Sequence, residues 1–201
     1  ESASTNGSLF VQAIDANGQA VSGATVQVTN GTVDPVVAIT DTTDANGFLR
    51  IIDVAPAVQS YHITVTKSGY SQEQTHATST QNPNPVRPDA TVALQTVTQA
   101  SFAIDRVSQV NVSSVGETCN SVPDVGFTLS GGKLIGTQPN VLKFNKSYTT
   151  DASGLRDISN LEWDNYTITV PVGSSILRGT IPLSPVNLIP NSTQDVKIVV
   201  E

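Results

Sequence analysis

Few residues of this 201-residue sequence have the types and spacing that enzyme chemistry requires. A zinc site needs several His, Cys or carboxylate ligands at set spacings. The sequence holds two histidines, His62 and His76, and one cysteine, Cys119. Neither histidine begins an H-x-x-E pair, because Val65 and Ser79 stand three positions further on. We therefore predict no transition-metal site.

Three segments rich in Asp, Asn and Gly offer the hard oxygen ligands that calcium prefers: residues 15–18, 41–47 and 151–154. None of them has the D-x-[DN]-x-[DN]-G spacing with a Glu beyond it. Asp, Asn and Gly are also the residues that tight turns require, because they bond to nearby backbone or accept positive φ. We predict hydrogen-bonded turns, keep calcium as the alternative, and expect no other cofactor.

The run Ser130-Gly131-Gly132-Lys133 matches the S-x-x-K motif of penicillin-binding enzymes. Its companions S-D-N and K-T-G are missing from the sequence, and the surrounding pattern predicts strand and turn, whereas the enzymes place this motif on a helix. Serine-hydrolase and phosphate-loop motifs are also missing from the sequence. We predict that the chain is not an enzyme and name no catalytic residue.

Trp163 and Tyr166 could together form a platform on which a sugar ring stacks. A tryptophan that leads into a strand is more often part of a hydrophobic core, and an aromatic content of 5% supplies no second cluster. We keep Trp163 and Tyr166 as candidate ligand-binding residues and favour the core interpretation for both.

Charge and composition narrow the classes of partner. The net charge is −7, Lys and Arg total 10, and the acidic residues are dispersed over turns, which argues against nucleic acid or an anionic membrane as partner. No apolar run approaches the roughly 20 residues of a membrane helix. The sequence contains no Met, so Glu1 follows either a processed signal or an arbitrary boundary, and we expect a longer parent protein. Cys119 has no partner within the chain for a disulfide.

Alternating apolar and polar residues predict strands along most of the chain. In the first half these strands cover residues 8–15, 24–29, 36–40, 48–52, 61–66 and 90–94. The runs 36–40 and 48–52 flank the Asp-rich segment 41–47, which predicts a hairpin. Few residues of the chain favour long exposed helices, so we predict an all-β protein.

The second half repeats part of the first, which indicates two modules. The run Thr42–Arg50 (TTDANGFLR) matches Thr149–Asp157 (TTDASGLRD), so that Asp44 corresponds to Asp151 and Gly47 to Gly154. The strand that begins at Tyr61 likewise matches the strand that begins at Tyr166. We predict domains at residues 1–97 and 98–201, joined by a short linker around residues 97–100.

The first module resembles the carboxypeptidase regulatory-like domain, a prealbumin-like sandwich related to the collagen-adhesin B-type repeats of bacterial surface proteins. The residues that carry the resemblance are Gly23–Val28, Thr43-Asp44, Gly47-Phe48, Tyr61 with its strand, and Gly69-Tyr70. The second module resembles it less closely, through Thr150-Asp151, Gly154 and the strand from Tyr166. The resemblance implies two tandem seven-stranded Greek-key immunoglobulin-like (prealbumin-like) β-sandwiches.

In function, the resemblance implies a non-catalytic extracellular stalk or adhesion module of a larger bacterial or archaeal cell-surface protein. Two alternatives are the soluble part of a pilin-like filament subunit and a carbohydrate-binding appendage of a secreted enzyme. The expected partners are other domains of the same surface protein, other copies of the chain, or surface glycans and proteins. We expect no contact with nucleic acid, and none with a membrane by this part of the protein.

Overall fold

The computed structural model describes residues 5–171 and 175–201, and every regular element in these ranges is a β-strand. No helix in the described residues is long and apolar enough to cross a membrane. The chain divides into two compact units. The first comprises Glu1–Asp105 with Ile135–Val141, and the second comprises Arg106–Leu134 with Leu142–Glu201.

The first unit is built from two sheets. Its strands are β1 (Gly7–Ile14), β2 (Thr25–Asn30), β3 (Val37–Thr42), β4 (Phe48–Val54), β5 (Ala57–Thr66), β6 (Glu73–Gln74), β7 (Ala90–Val92) and β8 (Val97–Ala103). One sheet has the order β4-β1-β8, and the other has the order β3-β2-β5-β6, with β7 also paired to β5. Burial alternates strictly along β1, as the period of a strand dictates.

One hydrophobic core lies between the two sheets of the first unit. It contains side chains of β1 (Leu9, Val11, Ala13) together with side chains of β5 (Tyr61, Ile63, Val65), all of them buried. Because β1 and β5 belong to different sheets, the sheets face each other as a sandwich.

The second unit has the same arrangement of facing sheets. The strands that follow Arg106 are β9 (Ser108–Val115), β10 (Gly126–Gly131), β11 (Leu134–Gly136), β12 (Val141–Leu142), β13 (Asn145–Thr149), β14 (Leu155–Leu161), β15 (Asp164–Thr169), β16 (Leu177–Ile181), β17 (Val186–Leu188) and β18 (Thr193–Val200). Most of β11, and Val141 of β12, lie in the segment Ile135–Val141 that belongs to the first unit. The two large sheets have the orders β14-β9-β18-β16 and β13-β10-β15-β17, and β11 pairs with β12. Its core joins residues such as Val112 of β9 to Leu129 of β10.

In each unit the first strand pairs in parallel with a strand from the end of that unit. β1 pairs with β8 from Ser8↔Val97 to Ile14↔Ala103. β9 pairs with β18 from Gln109↔Thr193 to Val115↔Val199. Parallel neighbours start at the same edge of a sheet, so the chain begins each unit at one end of this ladder and leaves it at the other.

The predicted boundary at residues 97–98 differs from the division between the units. Residues 97–100, expected to be a linker, belong to β8, and the units separate between Asp105 and Arg106. Phe102 and Ile104 are fully buried in the core of the first unit. β8 is an edge strand with one strand neighbour within its sheet, and the residues at its start are exposed. Their sequence therefore lacks the apolar pattern that would predict a strand.

The predicted hairpin around residues 41–47 is wrong. β3 pairs with β2, whereas β4 pairs with β1, so the segment between them crosses from one sheet to the other. Thr43 fixes this crossing, because its Oγ1 accepts the Ala24 N–H at 3.0 Å and donates to the Val21 carbonyl at 2.7 Å. The count of seven strands also differs: in the described residues eight strands precede Asp105 and ten follow Arg106, several of them only two or three residues long.

Candidate functional site

The Asp-rich segments are backbone turns in which one carboxylate oxygen serves two amides. Asp44 Oδ1 accepts the N–H groups of Asn46 at 2.8 Å and Phe48 at 2.9 Å. Asp151 Oδ1 accepts the N–H groups of Ser153 at 2.8 Å and Leu155 at 2.9 Å. The turn prediction is therefore confirmed. In the described ranges no group of three or more His, Cys, Asp or Glu side chains could hold a metal ion.

The glycines of these turns have both a positive φ and a close neighbour. Gly47 has a φ of 76°, and a Cβ there would stand 2.5 Å from the Ala13 carbonyl oxygen. Gly154 has a φ of 74°, and a Cβ there would stand 2.6 Å from Ser121 Oγ. A larger residue would therefore clash at either position as well as strain the backbone. This explains why the sequence match between the halves includes both glycines.

Cys119 occupies a position of the same kind in another turn. Its N–H donates to the Gly116 carbonyl at 2.9 Å, as the Gly18 N–H donates to the Asp15 carbonyl at 3.1 Å in the turn after β1. Cys119 has a φ of 63° where Gly18 has 78°, and its thiol is exposed and forms no disulfide. A non-glycine residue in this conformation carries a small backbone cost.

Tyr166 lies in the core of the second unit. Its side chain is 1% exposed, its hydroxyl donates to the Glu162 carbonyl at 2.8 Å, and its ring meets Phe144 edge-on at 5.6 Å. Burial, with the nearby carboxylates of Asp164 and Glu162, raises the pKa of the Tyr166 hydroxyl well above its ordinary value. Its ring therefore presents no open face on which a sugar could stack.

Tyr61 takes the matching place in the first unit. It is fully buried, and its hydroxyl donates to the Ala55 carbonyl at 2.5 Å. Burial raises the pKa of Tyr61 as well. Each tyrosine thus anchors the segment that precedes its own strand to the core, which is a packing role.

Trp163 lies half-buried in the bend between β14 and β15 and outside the hydrophobic core of its unit, contrary to the core interpretation. Lys133 Nζ stands 3.4 Å from the centre of the Trp163 ring and donates to Glu162 Oε1 at 2.7 Å. Lys143 Nζ pairs with the other oxygen of Glu162 at 2.7 Å. One face of the indole is therefore covered by an ammonium group, and ligand binding at Trp163 remains a prediction.

The S-x-x-K residues do not form a nucleophile and base pair. Ser130 Oγ donates to Asn145 Oδ1 at 2.9 Å, whereas the Lys133 side chain turns to Glu162. A Cβ at Gly131 would stand 2.5 Å from Asp164 Oδ2, the atom that accepts the Lys133 backbone N–H at 3.0 Å. The glycine in the motif makes room for this turn contact.

Two features have no signal in the sequence because their members are distant along the chain. In the first, His62 Nδ1 lies 3.0 Å from Asp89 Oδ1, which also accepts the Thr75 hydroxyl at 2.7 Å. Thr75 Oγ1 in turn accepts the Ile63 N–H at 2.9 Å. This network ties the proline-bearing segment before β7 to β5, and the two residues of each bonded pair lie between 12 and 27 positions apart.

The second feature is an apolar patch on the outer face of the β4-β1-β8 sheet. Phe10 stacks on Phe48 with ring centres 4.7 Å apart, and the Arg50 guanidinium lies 5.0 Å from the centre of the Phe10 ring. Ile52 is 77% exposed and Val97 is 69% exposed beside them. These five residues, termed the Phe10 patch below, lie on the face that points away from the core.

Comparison with known proteins gives weak similarities. No family model and no curated protein matches the chain. Among solved structures, it is similar to the minor pilin GBS52 of Streptococcus agalactiae, with a TM-score of 0.42, 13% identity, and 96% of this chain and 95% of that chain covered. BcpA, the major pilin subunit of Bacillus cereus, gives a TM-score of 0.33 and 9% identity, with 98% and 99% covered.

The Bacillus anthracis TIE protein gives a TM-score of 0.39 at 14% identity over 98% of this chain. This chain spans only 34% of the length of that protein. TM-scores below 0.5 do not establish a shared fold for the whole chain. The architecture therefore rests on the contacts described above, and the resemblance to the carboxypeptidase regulatory-like domain stays a prediction.

Proposed function

We propose that this chain is a non-catalytic, extracellular module that carries tension in a cell-surface stalk or filament. The observation that carries the proposal is the parallel pairing of β1 with β8 and of β9 with β18. A pull on the two ends of either unit acts along these strands. It therefore loads the whole ladder in shear.

Shear loading makes a strand pair hard to separate, because all bonds of the ladder must break together. Seven residue pairs align between β1 and β8, and seven align between β9 and β18. Each backbone hydrogen bond contributes only about 0.5–1.5 kcal/mol net. A pull perpendicular to the strands would break these hydrogen bonds one at a time. A pull along the strands must break all of them together.

Both units are proposed to be prealbumin-like sandwiches of the carboxypeptidase regulatory-like type. The support is that they share four features: the Asp turn, the threonine at the crossing between sheets, the buried tyrosine and the parallel pair. In the second unit Thr150 Oγ1 accepts the Val125 N–H at 3.0 Å, as Thr43 accepts that of Ala24. A stalk built of such modules needs no catalytic site.

One further observation favours a filament over a stalk, with this chain as a pilin-like subunit. Large apolar side chains are exposed on sheet faces of both units, including Ile52 (77%) and Val97 (69%) in the first and Leu155 (51%) and Ile181 (61%) in the second. Exposed apolar surface of this kind marks protein contacts. No comparable observation favours the carbohydrate-binding appendage.

The load-bearing role can be tested by removing single bonds from the ladder. The Ser8 N–H donates to the Thr96 carbonyl at 2.9 Å and the Ile104 N–H to the Ile14 carbonyl at 2.8 Å, so the N–H groups of even-numbered β8 residues face β1. Ala100→Pro therefore deletes a ladder donor, whereas Gln99→Pro, its matched control, removes an N–H that faces away from β1.

In single-molecule pulling from the chain ends, Ala100→Pro is expected to lower the unfolding force of the first unit clearly below that of Gln99→Pro. The unfolding force of the second unit should stay unchanged in both variants, which serves as an internal reference. Equal forces for the two proline variants would mean that the β1–β8 ladder does not carry the load, and the proposal would fail.

A further inference from the structure

The Phe10 patch has a defined layout on its sheet. On the outer face, Phe10 of the central strand lies between Arg50 of β4 and Gln99 of β8. Phe48 lies beside Gln12 in the next row. A shallow cavity of about 340 Å³ opens next to Phe10, lined by Ile52, Val97 and their neighbours. The patch is therefore an aromatic ridge with a hollow beside it.

The corresponding face of the second unit is polar at its centre. In one row Asn111 of β9 lies between Asp157 of β14 and Asp195 of β18. In the next row Ser113 and Lys197 lie between Leu155 and Ile181 on the two outer strands. Three strand spacings separate those apolar side chains, about 14 Å.

A polar strip thus runs between Leu155 and Ile181 on this face. A cavity of about 420 Å³ lies there, and its lining includes Leu155, Ile181, Pro182, Asp157, Asp195 and Lys197. We call this surface the Asp157 groove. Asn111 takes the place there that Phe10 has in the first unit.

We propose that the Phe10 patch of one copy of the chain docks into the Asp157 groove of a second copy. The contact deepens the filament form of the proposed function and rests on it. Because the two surfaces differ, a docked pair of copies leaves one patch and one groove free. Repetition of this contact between two different surfaces adds further copies to the assembly.

Charge supports this pairing. The patch carries one positive group, Arg50, which is exposed above Phe10. The groove carries two carboxylates, Asp157 and Asp195, against one ammonium, Lys197, which leaves one net negative charge. Opposite charges across an interface raise the rate of association and select the partner. Pairing of the patch with itself would instead bring two Arg50 groups onto one small surface.

Composition supports it as well. Aromatic residues, including phenylalanine, and arginine are enriched in protein interfaces relative to the rest of the surface. Ile52 and Val97 on the patch, and Leu155 and Ile181 on the groove, are all more than half exposed in the single chain. Docking removes these apolar side chains from water on both surfaces together.

The test uses the full chain with single charge reversals on each surface. Arg50→Asp alters the patch, Asp157→Lys alters the groove, and Asp41→Lys, on the exposed strand β3 of the other sheet, is the matched control. Sedimentation velocity over a concentration series gives the association constant of each protein, and circular dichroism verifies its folding.

The unaltered chain and Asp41→Lys should form assemblies that grow with concentration. Arg50→Asp and Asp157→Lys should each associate at least about tenfold more weakly, a loss of about 1.4 kcal/mol. An equimolar mixture of the two should again form assemblies that grow with concentration, since one intact patch and one intact groove remain and the two reversed charges also attract each other.

Three results would overturn the proposal: an unaltered chain that stays monomeric, reversal variants that associate like the control, or a mixture that associates no more strongly than either variant alone. The load-bearing role would survive any of them, because pulling experiments examine one copy at a time. A chain that resists force yet stays monomeric would separate the two proposals.

Discussion

Replacing Tyr166 with phenylalanine should destabilise the second unit at neutral pH. The difference in stability from the unaltered chain should become smaller at alkaline pH. At neutral pH the change deletes the hydroxyl that donates to the Glu162 carbonyl at 2.8 Å inside the core. The lost hydrogen bond and the unpaired carbonyl together cost about 1–2 kcal/mol in the free energy of unfolding.

The alkaline effect follows from the raised pKa of Tyr166. An unfolded tyrosine loses its proton near pH 10, whereas the folded one keeps it. The unfolded state therefore binds fewer protons above pH 10, and the stability that this tyrosine contributes falls by about 1.4 kcal/mol per pH unit. Tyr166→Phe lacks this loss, so its deficit at pH 8 should shrink by about 1.4 kcal/mol by pH 11.

Urea unfolding followed by tryptophan fluorescence measures this directly, because Trp163 is the single tryptophan and lies in the second unit. Tyr61→Phe is the matched control: it removes the corresponding hydroxyl from the first unit. The control should leave the tryptophan-detected transition unchanged. A Tyr166→Phe deficit that stays constant or widens between pH 8 and pH 11 would refute the assignment of a buried, protonated hydroxyl.

Three further predictions concern the turns and the crossing between sheets. Thr43→Val should lower the unfolding free energy by about 2 kcal/mol in urea titrations, since the buried Ala24 N–H loses its acceptor; an unchanged value would contradict the role of Thr43. Asp151→Ala should cost about 1–2 kcal/mol by the same assay, and millimolar calcium should leave the melting temperature of the unaltered chain in place; a calcium-dependent rise would restore the metal alternative. Cys119→Gly should raise stability by up to about 1 kcal/mol by relieving a φ of 63°; a loss would count against strain there.

Alternation of apolar residues was enough to predict the core strands of both units. Leu9, Val11 and Ala13 lie on the buried face of β1, as their spacing requires. The turns were equally predictable, because an Asp carboxylate that accepts two backbone N–H groups has both donors within four residues. Both features depend on residues that are close together in the sequence, so the sequence pattern is enough to predict them.

Features that depend on which strands become neighbours were not predictable in the same way. The pattern around residues 41–47 fits a hairpin and a crossing equally well, and the choice depends on β3 pairing with β2 and β4 pairing with β1. β8 was mistaken for a linker because its start is exposed. The Phe10 patch joins residues of three strands that lie up to 87 positions apart.

Trp163 shows the same limit at the level of a single side chain. A tryptophan before a strand suggested the core, but Lys133, 30 positions earlier, occupies one face of its ring at a half-buried site. Tyr166, three positions later, is the aromatic residue that the core takes up.

The dependence of unfolding force on direction tests the load-bearing role most directly. Handles at Thr5→Cys and Arg106→Cys, in a Cys119→Ser background, pull the first unit along β1 and β8. Handles at Thr5→Cys and Thr96→Cys pull the adjacent starts of the same two strands apart. We expect a clearly higher unfolding force for the first pair of handles. Equal forces, or a higher force for the second pair, would contradict it.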